Sequence, residues 1–169
     1  MALITASSES IPDLNYEYHT VTVDTIGQAS SNAFSVFLNQ SLKNVVQARL
    51  VAAHIHTKDS TQHCYVSIDE LNTNFSERTS NVYEGQGDIS IVRRSFASLI
   101  TEQITHSGSD SLIVFKNEYP IAAQYIDPIR KIDRLTVKIM NQDGETIANS
   151  GTGGNNFLVL RFVCRKPNL

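Results

Sequence analysis

The chain has 169 residues, 41% of them hydrophobic, which suits a single domain with a substantial core. A formal net charge of -3 and a pI near 5.9, with no basic run longer than the pairs Arg93-Arg94, Arg130-Lys131 and Arg165-Lys166, exclude the positive field that neutralises phosphate backbones. Two cysteines are too few for a disulfide framework, and the start of the chain has neither a basic cluster nor a continuous apolar segment. No run approaches the roughly 18 apolar residues of a spanning helix. The expectation is a protein made in a reducing cytoplasm, with no membrane span and no direct nucleic-acid contact.

Residues 1–17 scatter Leu3, Ile4, Ile11 and Leu14 among Ser, Thr, Glu and Asn, the pattern of an N-terminal arm; residues 18–169 read as the folded domain. The β-branched run Tyr18–Ile26 predicts a first strand, and Phe34–Leu38 a second after a Gly/Ser/Asn loop. Leu42–His56 contains many helix formers. Its neighbours favour a strand, with Val46, Ala48, Leu50, Ala52 and His54 on one face and Val45, Gln47, Arg49, Val51, Ala53 and Ile55 on the other.

His63–Leu71 alternates cleanly, placing Cys64, Val66 and Ile68 opposite Tyr65, Ser67 and Asp69. The polar, glycine-bearing stretch Asn72–Arg94 predicts a surface excursion, with Val82-Tyr83 or Ile89–Val92 as a short edge strand. Ser95–Ile104 reads equally as strand or short helix, and Leu112–Lys116 as a brief strand. In Tyr125–Glu145, alternation puts Ile132, Arg134, Thr136, Lys138 and Met140 on one face and Asp133, Leu135, Val137 and Ile139 on the other, before an Asp143-Gly144 turn that closes a hairpin. A flexible loop at Asn149–Asn156 precedes the closing core strand Phe157–Cys164. About eight strands result, and the spacing predicts an all-β antiparallel sandwich. A double-sheet jelly roll would protect its edges.

Candidate chemistry is sparse. His54 and His56 share one strand side and, with His63 and Cys64, form the one grouping that invites a metal; rim histidines are the plainer reading, and no metal is expected. Cys64 and Cys164 lie in apolar strands and read as small buried hydrophobes rather than nucleophiles. Asp69, Glu70, Asp127 and Asp133 are too scattered to pair as the two carboxylates of a glycosidase. Gly85-Gln-Gly87 and Gly151-Thr-Gly-Gly154 open no helix after a strand, so neither reads as a phosphate cradle. No catalytic site and no cofactor are expected, and the chain does not read as an enzyme.

The segment Leu42-Lys-Asn-Val-Val-Gln-Ala-Arg-Leu-Val-Ala-Ala-His-Ile55, followed by Tyr65-Val-Ser-Ile-Asp-Glu-Leu71, resembles the single jelly-roll penton and minor capsid proteins of large eukaryotic DNA viruses and virophages. Pro128–Ile139, Asp143-Gly144-Glu145 and the last strand, Phe157-Leu-Val-Leu160 onward, look like their C-terminal half. The chain departs from the family where the link reads His54-Ile-His56-Thr57 and members often carry proline.

The resemblance implies an eight-stranded jelly roll and a structural protein of the virion. It implies homopentamers at the capsid vertices, with neighbouring major capsid proteins as further partners and exposed loops available to a host receptor. Tyr119, Pro120, Tyr125 and Ile126 are the expected subunit contacts, because this aromatic segment enters its strand without clean alternation. The alternative is a jelly-roll module that binds carbohydrate or a receptor through loops 72–94 and 149–156, with Tyr83 as a stacking platform.

Overall fold

A computed structural model describes residues 15–58, 61, 63–72, 95–100, 104–106, 110–142, 144–147 and 154–167; for 58, 104–106, 110, 111 and 117–121 it describes the backbone alone. The described residues form seven strands and no helix: β1 (Tyr16–Asp24), β2 (Ala33–Lys58), β3 (His63–Ile68), β4 (Ala97–Ile100), β5 (Ile104–His106), β6 (Asp110–Met140) and β7 (Phe157–Arg165). All pairings are antiparallel, in the order β1-β7-β2-β6-β3-β4, with β5 joined to β6. The sheet curls on itself as a half-barrel, consistent with a β-sandwich, and its inner face encloses one continuous core.

The antiparallel all-β expectation holds, and Leu42–His56 and Ala97–Ile100 are strands rather than helices. Apolar alternation outweighs the helix propensity of Ala, Leu, Arg and Gln once each side chain has a sheet neighbour to pack on. Among the described residues seven strands stand, two of them long: β2 and β6 each run on, 26 and 31 residues, through several irregularities. β1 takes in Tyr16 and Glu17, which the sequence assigns to the arm.

Those irregularities change which side chains enter the core. Against β7, the register of β2 skips Val46 and Val51, so each stands in a bulge. Each bulge shifts the inward phase by one residue, and the buried set becomes Val45, Ala48, Leu50, Ala53 and Ile55. Neither face of the uniform alternation survives, since the core draws Ala48 and Leu50 from one and Val45, Ala53 and Ile55 from the other.

On the other side of β2, residues 125–128 of β6 face Val46 alone, and 117–120 face Val51 alone. A third irregularity sets residues 38–41 of β2 against Asp133. There Ile132 turns into the core with Leu135, Val137 and Ile139, while Asp133 and Arg134 both point out. This corrects the assignment of Ile132 to the wet face and of Asp133 to the apolar one.

The hairpin after β6 forms as the sequence suggests. The Gly144 N–H donates to Asn141 O at 3.1 Å, and Gly144 takes a φ of 80°, open to glycine and costly for branched residues. The returning backbone is fixed by Ile147 N–H donating to Ile139 O at 3.1 Å. Residues 73–94, which include the predicted edge strand and Tyr83, lie outside the described residues, as does Asp143.

Candidate interaction site

One row of side chains crosses four strands: Tyr18 of β1 pairs with Val163 of β7, Val163 with Gln47 of β2, and Gln47 with Gln124 of β6. Directly opposed residues share a sheet face, here the outer one. Tyr16 lies one outward step along β1, and the Val46 bulge with the facing Tyr125-Ile126 excursion closes the end of the row. The result is an open groove of about 430 Å³ lined by these eight residues. Tyr18 is 50% exposed and Ile126 88%. The Arg161 guanidinium lies 5.4 Å from the centre of the Tyr18 ring, a cation–π arrangement on the same outer face.

The adjacent residues Tyr125 and Ile126 have different duties. The Tyr125 hydroxyl donates to Leu71 O at 2.9 Å, tying β6 to the turn after β3, and its burial raises the phenol above its ordinary range. Ile126 projects into solvent. Of the four sequence-predicted contact residues, Tyr125 and Ile126 therefore come together in the groove. Tyr119 and Pro120 lie in the 117–120 excursion, where the backbone alone is described. Sequence reasoning missed Tyr16, Tyr18, Gln47 and Val163; period-two spacing at Tyr16-x-Tyr18 was the one available signal.

The catalytic and metal candidates are dispersed. His54 and His56 share a side, with ring centres 5.3 Å apart in a T-shaped contact, while the His63 ring meets Tyr65 at 5.5 Å. Among the described residues, no three His, Cys, Asp or Glu side chains gather to hold a metal. Glu70 serves the fold: its carboxylate accepts from Thr136 N–H at 2.7 Å and Thr136 Oγ1 at 2.9 Å, with Arg134 Nε 3.6 Å away. Asp133 sits on the surface, bonded to Lys131 at 2.7 Å and to Ser41, and these two bonds lower its carboxyl pKa. Cys64 is buried, and desolvation pushes its thiol up to about 12. Burial also raises Cys164, helped by the neighbouring charge of Glu17. Neither thiol supplies a thiolate near neutral pH.

The loop placed at 149–156 needs a correction at its end. Asn156 is 1% exposed, and its side chain accepts from His56 N–H at 2.8 Å and donates to Ser31 O at 2.8 Å and Asn32 Oδ1 at 2.6 Å. Its backbone exchanges bonds with Thr25: Asn156 N–H donates to Thr25 Oγ1 at 2.8 Å, and Thr25 N–H to Asn156 O at 3.1 Å. Asn32 in turn donates to Ile147 O. These amides lace together the end of β1, the start and the far end of β2, the β6 hairpin and the start of β7. Buried amides must be bonded, and this set is. Gly154 packs against the His56 ring so closely that a Cβ there would overlap it. Residues 148–153, the rest of that loop, lie outside the described residues.

No known family profile matches the chain, and no curated protein matches it.

Proposed function

We propose that the chain is a structural capsid protein of single jelly-roll type, a penton protein that forms homopentamers at icosahedral vertices. The observation that carries this reading is the pairing pattern. Divided at the single irregularity opposite Asp133, β2 yields residues 33–37 and 42–58, and β6 yields 110–132 and 134–140, making eight segments besides β5. β1, β7, the later part of β2 and the earlier part of β6 are joined in one order; the earlier part of β2, the later part of β6, β3 and β4 are joined in another. Two groups of four strand segments that exchange the chain through two long strands match the order expected of a jelly roll, which supports the reading. The likeness of Leu42–Leu71 and Pro128–Cys164 to penton and minor capsid proteins adds the viral part of the reading.

A vertex protein works by contact, with copies of itself and with neighbouring major capsid subunits, in the virion. The tyrosine groove, open on the outer face with Tyr18 and Ile126 exposed, suits that work better than any cluster of reactive groups in the described residues. Native mass measurement of the purified full-length chain tests the proposal. A species of five times the 18.7 kDa of one chain is the expected result, and a monomer at micromolar concentration overturns it.

A further inference from the structure

A closed ring of identical copies uses two different surfaces per chain, one meeting the other on the next copy. The described residues offer two. The first is the tyrosine groove, whose outer rim carries Arg161 beside Tyr18 and Arg165 opposite Tyr16, both exposed. The second is a groove of about 310 Å³ between the end of β1 and residues 36–39 of β2, with Ile26 70% exposed and Phe37 77% exposed on it. It lies at an open seam: β1 pairs with β7 alone, and residues 33–37 of β2 with β6 alone. Its one ionisable lining residue is Asp24.

We infer that the second surface of one copy seats on the first surface of the next, Ile26 and Phe37 against the tyrosine groove, with Asp24 facing Arg161. The inference rests on the ring reading proposed above and names the surfaces that make the ring. Charge is what selects a second copy as the occupant. Arg161 beside the tyrosine groove and Asp24 beside the exposed Ile26 and Phe37 belong to the same chain, so each copy presents the charge opposite to the one it receives. An exposed phenylalanine and isoleucine set against tyrosines is the composition of an interface centre, with Asp24 and Arg161 as its polar rim.

The test is native mass and sedimentation of the full-length chain in low salt. Asp24→Lys and Arg161→Glu are each expected to weaken association at least about tenfold, and the double variant to recover most of the loss. Because Asp24 Oδ1 accepts from Ile26 N–H at 3.1 Å, Asp24→Asn keeps an acceptor there while removing the charge. Weakened association in that variant too assigns the effect to charge. Phe37→Ser is expected to dissociate rings without unfolding the chain. Rings that persist in both single variants, or a double variant no better associated than the singles, overturn this pairing and leave the ring reading standing. A wild-type monomer overturns both. Removing residues 1–14 separates the remaining occupant: rings lost on that deletion, yet indifferent to Asp24 and Arg161, place the arm in the second groove and overturn the inference.

Discussion

The two ends of β1 make opposite use of their side chains. At Tyr16 and Tyr18 the strand shows aromatic rings to solvent beside the exposed Ile126, whereas just past Asp24 the buried Thr25 joins the amides of Asn156 and Asn32. Polar groups buried and fully bonded at one end hold the fold; side chains left largely in water at the other add little to it. The difference separates residues kept for stability from residues available for contact, and it can be tested from both sides.

The largest effect is expected at the laced end. Asn156→Ala strips partners from His56 N–H, Ser31 O and Asn32 Oδ1 in a buried place, and urea unfolding should show a loss of about 3–5 kcal/mol. A loss under about 1 kcal/mol would mean that the amides are not what holds this end. Gly154→Ala comes next, at about 1–3 kcal/mol, from overlap with the His56 ring; His56→Ala in the same chain should recover part of it if the overlap is the cause.

The buried thiol gives a smaller, pH-dependent effect. Burial lifts the Cys64 thiol from an ordinary value of 9.0 to about 12 on folding, so its contribution is whole below pH 9 and is lost as pH rises toward 12. Thermal or urea melts should lose up to about 1.4 kcal/mol per pH unit across that window, and Cys64→Ala should flatten the slope. An unchanged slope would remove the thiol from the account. The smallest stability change is expected at the contact end, where Tyr18→Ser with Ile126→Ser should shift unfolding by about 0.5 kcal/mol or less while abolishing the association proposed above. A large loss of monomer stability there would erase the contrast between the two ends.

Much of this architecture is legible in the residues, because the signals are local. Alternation marked β3 with its core face and Leu135, Val137 and Ile139 of β6, the apolar run Phe157–Cys164 marked β7 as a core strand, and Asp143-Gly144 marked the hairpin that Gly144 closes with its positive φ. Other features were harder to see. In β2 the spacing Val45-x-x-Ala48-x-Leu50-x-x-Ala53-x-Ile55 records both bulges, but a uniform period of two hides them. Asn156 sits in a Gly/Asn-rich stretch that is indistinguishable by composition from a mobile loop. Its role depends on Thr25, Ser31, Asn32 and His56, residues 100 to 131 positions away.

What the sequence by itself determined is the all-β class and the buried face where alternation is unbroken, as at Cys64, Val66 and Ile68 and at Leu135, Val137 and Ile139, since a strand's alternation follows from backbone geometry within a few residues. The tertiary structure alone decided the phase shifts at Val46, Val51 and Asp133, the burial of Asn156, and the meeting of Tyr16, Tyr18, Gln47 and Ile126 in one groove. Each of these depends on strand register between distant parts of the chain. Register is set by the competition of whole ladders for one core, a sum over long-range pairs that no short window contains.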